Sequence, residues 1–144
     1  MSLTNPTYAD IQFGCHQIVE QILDDGRKID CVMGLVRGGL VPATIISHIL
    51  QVPMVTATFS SRNGEGGGQH NHILPILPFY YGSILIVDDI CDSGNTLAEI
   101  SFHYRNWATL TAAVYSKEND TFEPNFCAFS IDANAPYIKF PWEI

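Results

Sequence analysis

The chain has 144 residues, 47% of them hydrophobic, which is enough for one domain (residues 1–144) with a single core. Its 15 acidic and 7 basic residues give a formal charge of −8, which argues against a nucleic-acid-binding surface. An acidic protein that binds phosphates must use metal ions, backbone N–H groups and a few well-placed basic side chains.

The four cysteines are widely separated and form no C-x-x-C pair. This pattern predicts reduced, mostly buried thiols rather than a zinc site or a disulfide framework at Cys15, Cys31, Cys91 and Cys127. The N-terminus has no basic stretch followed by an apolar one, and no apolar run reaches about 18 residues. We therefore expect a soluble, cytoplasmic protein with no stable membrane insertion.

The first predicted element is an amphipathic helix. Thr7 is a candidate N-cap, and Asp10 three residues later resembles the second half of a capping box. Apolar residues then recur at helical spacing and define one predicted core face, made of Ile11, Cys15, Ile18, Val19, Ile22 and Leu23. The polar sequence DDG at 24–26 ends this helix.

A strand is predicted at 29–36, followed directly by the turn RGGLVPA at 37–43. Pro42 suits the first turn of a second helix, where its missing N–H costs nothing. An order of strand, glycine turn and helix is typical of phosphate sites, with Arg37 here at the strand end. The alternative is an ordinary tight turn whose glycines adopt positive φ.

The next stretch contains a third strand-like run at 53–60 and then the most polar, glycine-rich part of the chain, at 61–72. A loop of this length in a compact domain is usually functional or disordered, and we expect it to be mobile. Pro75 and Pro78 restrict residues 73–79 to an edge strand or an extended connection.

The segment ILIVDDICDSGNTLAEI at 84–100 carries the densest set of chemically useful residues. Its apolar beginning predicts a strand that is buried on both faces of a parallel sheet. Asp88 and Asp89 follow at the end of this strand, and Asp92 comes three residues later. The turn at 93–96 offers a glycine, hydroxyls and free N–H groups at a helix N-terminus, which suit a phosphate. A sugar phosphate with two free hydroxyls would suit both parts of the segment: its hydroxyls would bind the carboxylates, and its phosphate would bind the turn.

A helix is predicted from Leu97 to about Tyr104, then strands at 109–115 and 125–131, before an aromatic, irregular C-terminus at 132–144. Strands that alternate with helices predict an α/β fold with a mainly parallel central sheet flanked by helices and right-handed crossovers.

Ligands of such folds bind at the carboxyl ends of the strands. Arg37, the pair Asp88 and Asp89, and Lys117 each follow a different predicted strand. We therefore expect these side chains to meet in one site.

Other motifs with acidic or glycine-rich turns fit less well. The chain has no Gly-Lys-Ser/Thr, and no G-x-G-x-x-G follows a strand. The acidic pair Asp88 and Asp89 could belong to a phospho-acceptor domain, but such pairs normally follow the first strand. The pair could also serve only as turn and cap residues, although adjacent carboxylates at a buried strand end repel unless a positive charge compensates.

The sequence VDDICDSGNT at 87–96 resembles the phosphoribosyl pyrophosphate motif of the type I phosphoribosyltransferases, and residues 37–43 resemble the pyrophosphate loop of that family. The similarity runs nearly end to end and is greatest to the bacterial xanthine-guanine members. It implies the type I fold with a small C-terminal hood at about 132–144. It also implies Mg²⁺-dependent purine salvage, in which ribose 5-phosphate passes from phosphoribosyl pyrophosphate to N9 of guanine, xanthine or hypoxanthine. Relatives form homodimers or homotetramers, and the segment 137–142 is apolar enough to join such an interface.

The resemblance also implies how phosphoribosyl pyrophosphate is bound. Asp88 and Asp89 would bind the ribose hydroxyls and the metal ion. Arg37 and Gly38 would hold the pyrophosphate, and the peptide bond from Val36 to Arg37 would be cis. The remaining residues of the motif complete this site, with the last four around the 5′-phosphate: Ile90, Cys91, Asp92, Ser93, Gly94, Asn95 and Thr96.

The same resemblance implies the purine contacts. Asp92 and Arg37 are the candidate catalytic residues. Asp92 matches a carboxylate that assists proton movement at purine N7. Lys117 matches the lysine that reads the 6-oxo group, because an ammonium is a donor only and rejects a 6-amino group. Tyr137 matches an aromatic that stacks on the base, and Ile138 matches a backbone contact to the 2-substituent.

The chain departs from the family pattern in its mobile loop. Gln69, followed by His70, occupies the place of a basic residue that reaches the pyrophosphate, and Arg62 replaces an aromatic. Asn95 stands where the motif often has a second glycine. Two alternatives therefore stay open: a phosphoribosyltransferase for another nucleobase, or a regulatory protein that binds phosphoribosyl pyrophosphate with little turnover.

Overall fold

The computed structural model describes residues 4–59 and 72–144. In chain order its helices and strands are α1 (Tyr8–Asp25), β1 (Cys31–Val36), α2 (Leu40–Leu50), β2 (Met54–Thr58), β3 (Ser83–Cys91), α3 (Asn95–His103), β4 (Ala108–Lys117) and β5 (Phe126–Ile131). The strands form one parallel sheet in the order β2-β1-β3-β4-β5. The predicted α/β fold with a parallel sheet flanked by helices is confirmed.

Helix α1 begins and ends with the predicted signals. The Thr7 hydroxyl accepts a hydrogen bond from the Asp10 N–H (3.1 Å), and the Asp10 carboxylate accepts one from the Thr7 N–H (2.9 Å). Gly26 closes the helix in the left-handed conformation, with φ of 83°. The prediction for Leu23 was wrong, since its side chain is 67% exposed. One residue is 100° of helical turn, and Leu23 is rotated by that angle away from buried Ile22.

Strand β3 occupies the centre of the sheet and is buried on both faces, as its apolar run predicts. Leu85 and Val87 pack in a core with α1 and α2, whereas Ile84 and Ile86 pack in a second core with α3. The strand continues to Cys91, two residues beyond the predicted carboxylate end. The acidic pair therefore lies within the ordered ladder beside β4 rather than in a turn, which restricts its backbone.

The two faces of the sheet are covered differently. Helices α1 and α2 cover one face, together with Ile138 and Phe140 of the irregular C-terminal segment. Helix α3 and the connection before β3 cover the other. Because α3 and the C-terminal segment lie on opposite faces, the carboxyl edge of the sheet is flanked from both sides.

The proline-containing stretch at 73–79 is an extended connection. Its ladder pairing is a single antiparallel bridge between Thr58 and Ile73. The carbonyl of Pro75 accepts a hydrogen bond from the Tyr104 hydroxyl (2.7 Å), and so this connection is tied to the end of α3.

The four thiols are free, as predicted, and three of them are buried. Within residues 4–59 and 72–144, no helix is long and apolar enough to cross a membrane.

Candidate active site

Two adjacent carboxylates near the end of β3 form the centre of the site. The Asp89 N–H donates to Asp88 Oδ1 (2.9 Å), and the Ile90 N–H donates to Asp89 Oδ1 (2.7 Å). Burial raises the pKa of Asp88 well above its usual value, and the neighbouring Asp89 charge raises it further. Burial also raises the pKa of Asp89. A ligand that supplies hydroxyl donors or a cation would relieve this cost.

The turn between β1 and α2 lies directly against these carboxylates. The peptide bond from Val36 to Arg37 is cis, as the resemblance implies. A side chain at Gly38 would collide with the Asp89 carboxylate, and one at Gly39 would collide with the Val87 carbonyl oxygen. The suggested positive φ was the wrong reason for these glycines, because Gly39 has φ of −75° and Gly38 is not among the positive-φ residues of the described chain. Close approach of two strand ends requires them instead.

A cavity of about 630 Å³ opens between this turn and the C-terminus. Arg37, Gly38 and Asp89 line one side of it, and Trp142 and Glu143 line the other. The Glu143 charge contributes to the raised pKa of Asp89. The cavity is therefore lined by one basic residue, Arg37, and two acidic residues, Asp89 and Glu143.

Glu143 was missed by sequence reasoning. Its Oε1 accepts a hydrogen bond from the Tyr137 hydroxyl (2.6 Å), and its Oε2 accepts one from the Phe140 N–H (2.8 Å). These bonds hold the carboxylate at the cavity, although it lies 54 positions from Asp89 along the chain. The available signal was a lone acidic residue in an otherwise apolar C-terminal sequence, FPWEI.

The turn before α3 has the features of an anion site. Gly94 adopts φ of 83° as the N-cap of α3, and as a glycine it has no side chain to cap this helix end. The Asn95 N–H donates a hydrogen bond to the Ser93 hydroxyl (3.3 Å), and Thr96 follows in the first turn. A helix N-terminus with uncapped N–H groups attracts a phosphate.

Lys117, the last residue of β4, lies beside the turn that follows β3. Its Nζ lies 3.6 Å from Asp92 Oδ2, and its side chain is only 17% exposed, against 73% for Asp92. The low exposure argues against a freely solvated surface lysine. Lys117 therefore presents a positioned ammonium beside an accessible carboxylate.

The remaining predicted residues contribute through their backbone or through exposed rings. Ile90 packs against the core, and Cys91 is buried, with burial raising the pKa of its thiol to about 11. Ile138 is also buried, whereas Tyr137 is 74% exposed. Gln69, His70 and Arg62 lie outside the described residues.

The donor set fits a hard divalent cation that is shared with a ligand. The described residues contain no group of three or more His, Cys, Asp or Glu side chains arranged to hold a metal ion. Asp88 and Asp89 still provide adjacent carboxylates whose ionisation is costly, and Mg²⁺ is usually bound by one or two carboxylates plus phosphate oxygens and water.

The family of the chain follows from comparison with known proteins. The family model described as the phosphoribosyl transferase domain matches residues 7–144. Together with the parallel sheet and the acidic strand end, this match defines the class, and the chain belongs to the phosphoribosyltransferase family.

Individual relatives are similar over most of the chain. The xanthine-guanine phosphoribosyltransferase of Chromohalobacter salexigens is 26% identical over 140 residues, covering 95% of this chain and 79% of that protein. The enzyme of the same name from Cereibacter sphaeroides is 33% identical over 118 residues, covering 78% and 68%. The crystal structure of a purine phosphoribosyltransferase from Pyrococcus horikoshii superposes with a TM-score of 0.79 at 25% identity, covering 98% of this chain and 94% of that one.

Proposed function

We propose that this protein transfers ribose 5-phosphate from phosphoribosyl pyrophosphate to N9 of a 6-oxopurine and releases pyrophosphate. The C1–O bond to pyrophosphate breaks, the C1–N9 bond forms, and the proton on the imidazole ring of the base is lost. The relatives named for xanthine and guanine support the acceptor class. The observation that carries the 6-oxo preference is the Lys117 ammonium, 3.6 Å from Asp92, the first residue of the proposed phosphate loop at 92–96.

The phosphoribosyl end of the substrate fits the edge of β1 and β3. The N–H groups at 94–96 would bind the 5′-phosphate, while Asp88 and Asp89 would accept hydrogen bonds from the ribose 2′- and 3′-hydroxyls. Arg37 and the Gly38 backbone, which line the cavity with Asp89, would hold the pyrophosphate. Positioning and stabilisation of the leaving-group charge then lower the barrier.

Mg²⁺ is the proposed metal ion, with Asp89 and Asp88 as its protein ligands. When bound, it would neutralise charge on the pyrophosphate leaving group. Asp89 also faces Glu143 across the cavity, which makes this end of the site more negative and favours a cation.

The purine would lie between Lys117 and Tyr137. An ammonium donates to an oxo group and has nothing to accept from an amino group, so Lys117 selects O6. Asp92 is exposed beside it and can take the proton at N7, while the exposed ring of Tyr137 offers a stacking face and Ile138 a backbone contact.

A pyrophosphate-release assay tests this function. Purified protein is given Mg²⁺, phosphoribosyl pyrophosphate and one of guanine, xanthine, hypoxanthine or adenine. We expect turnover with oxopurines and none with adenine. Activity with adenine alone would refute the role of Lys117.

Replacing Asp92 tests its part in the reaction. We expect Asp92→Asn to lower kcat with guanine by about 10²-fold, the usual scale for lost transition-state stabilisation. Asp120→Asn, which removes an exposed carboxylate from the loop after β4, is the matched control and should leave kcat unchanged. An unchanged kcat in Asp92→Asn would remove this residue from the mechanism.

The rival proposal is a regulatory protein that binds phosphoribosyl pyrophosphate without turnover, and its support is Gln69 in place of a basic loop residue. Calorimetric binding with Mg²⁺ but no product would favour it.

Assembly as a homodimer or homotetramer also stays a prediction, which light scattering in solution tests. Ile138 and Phe140 are already buried within the chain, so an interface at 137–142 would have to use Tyr137 and its exposed neighbours.

A further inference from the structure

Asn119 is an exposed amide in the loop after β4, and its side chain forms hydrogen bonds with four backbone groups. Its Nδ2 donates to the carbonyl oxygens of Asp92 (2.9 Å) and Lys117 (3.1 Å). Its Oδ1 accepts from the N–H groups of Thr121 (2.9 Å) and Phe122 (2.8 Å). Both donor and acceptor of one short side chain are therefore used, which is typical of a structural bridge.

The two carbonyls that Asn119 joins belong to Asp92 and Lys117, two of the four residues of the proposed purine site. Asp92 begins the phosphate loop and Lys117 ends β4, and their side chains form the 3.6 Å ion pair. Asp92 is largely exposed and lies just beyond β3, so the strand ladder does not restrain it. The Asn119 amide supplies a restraint at that point.

The other half of the Asn119 side chain shapes a tight turn that carries Phe122 onto the phosphate loop. A side chain at Gly94 would collide with the Phe122 ring and its Cβ, so ring and glycine backbone are in direct contact. Gly94 needs its positive φ to begin α3. The loop after β4 thus contacts the proposed phosphate site as well as the proposed base site.

We propose that Asn119 is a positioning residue for base recognition: its amide N–H groups set the distance between Asp92 and Lys117, while its carbonyl oxygen holds the turn that packs Phe122 on Gly94. This inference rests on the proposed function, because it assigns a role to Asn119 within that site. Asn119 itself need not touch the substrate.

Two substitutions at Asn119 distinguish the role of its amide N–H groups from the role of its carbonyl oxygen. Asn119→Asp keeps an oxygen that accepts from Thr121 and Phe122 but loses both donated bonds. Asn119→Ala loses all four bonds. Asp120→Asn changes one charge in the same loop and is the matched control.

The assay is calorimetric binding of two probes, guanosine 5′-monophosphate and ribose 5-phosphate, which differ by the base. We expect Asn119→Asp to weaken nucleotide binding about fivefold to tenfold, the range for lost hydrogen bonds, and to leave ribose 5-phosphate binding unchanged. Asn119→Ala should weaken binding of both probes, because the turn under Phe122 is lost as well. Asp120→Asn should change neither.

The outcomes are distinguishable. If wild-type protein binds the nucleotide but Asn119→Asp keeps wild-type affinity for it, or loses affinity for both probes equally, the inference is wrong while the proposed function stands. If wild-type protein fails to bind the nucleotide, the proposed function is wrong, and the inference about Asn119 is wrong as well. Circular dichroism and the Tm of each variant show whether the fold is kept.

Discussion

Replacing Asp88 by Asn should stabilise the ligand-free protein and weaken its binding of substrate. Asp88 is half-buried beside Asp89, and burial together with that neighbouring charge raises its pKa well above the usual value. Asn has the same shape and keeps an oxygen that can accept from the Asp89 N–H. The substitution therefore removes a costly charge without opening a cavity.

The expected gain at pH 7.5 is about 1 kcal/mol of unfolding free energy, the usual scale for relieving such a site. An unfolding entropy of about 2.1 cal/mol/K per residue gives roughly 0.3 kcal/mol/K for 144 residues, so Tm should rise by about 3 °C. Because the folded pKa of Asp88 lies above the unfolded value, its contribution favours folding at low pH and is lost as pH rises through the folded pKa. The gain should therefore be larger at pH 7.5 than at pH 5.

Differential scanning calorimetry of metal-free protein at both pH values measures this, with Asp24→Asn on the exposed face of α1 as the control. Wild-type protein should gain more Tm from Mg²⁺ and phosphoribosyl pyrophosphate than Asp88→Asn does, because binding to the native state stabilises in proportion to affinity. If the Tm of Asp88→Asn at pH 7.5 is unchanged or lower, the Asp88 charge does not reduce the free energy of unfolding, and the reasoning is wrong.

Two further predictions concern the thiols and the first helix. N-ethylmaleimide at pH 8 should modify Cys127 first, because Cys15, Cys31 and Cys91 are buried, and burial raises the pKa of Cys15 to about 12 and that of Cys91 to about 11. Peptide mass spectrometry reads the order, and equally rapid labelling of Cys91 would contradict it. Thr7→Ala should cost about 1 kcal/mol, or about 3 °C in Tm, because the capping box loses its side-chain acceptor. An unchanged Tm would mean that this cap contributes nothing to stability.

Much of the fold could be predicted because the relevant signals are local. The capping box at Thr7 and Asp10 and the left-handed Gly26 place α1 to the residue. The continuous apolar run of β3 predicts burial on both faces, since alternation would have indicated one solvated face. Strands alternating with helices then leave few arrangements other than a parallel sheet.

The errors occurred where a local signal is incomplete. Leu23 continues the helical spacing of the core face, but nothing nearby in the sequence indicates that the core ends before it. Carboxylates usually end a buried strand, and β3 continues through Asp88 and Asp89 because β4 pairs with it as far as Cys91. For the glycines at 38 and 39, positive φ was offered as the alternative to a phosphate-site turn, whereas their close neighbours across the site are what require them.

By itself the sequence predicted the class of ligand. An acidic pair favours sugar hydroxyls or a cation, a glycine turn at a helix N-terminus favours a phosphate, and single basic residues at strand ends favour anions. Only the tertiary structure decided which distant residues complete the site. Glu143 reaches the cavity beside Asp89 because the C-terminal segment packs over the sheet, and Asn119 reaches Asp92 because parallel strands end at one edge. Neither contact could be predicted from a periodicity or a spacing in the sequence, because contacts between residues tens of positions apart are set by packing rather than by local geometry.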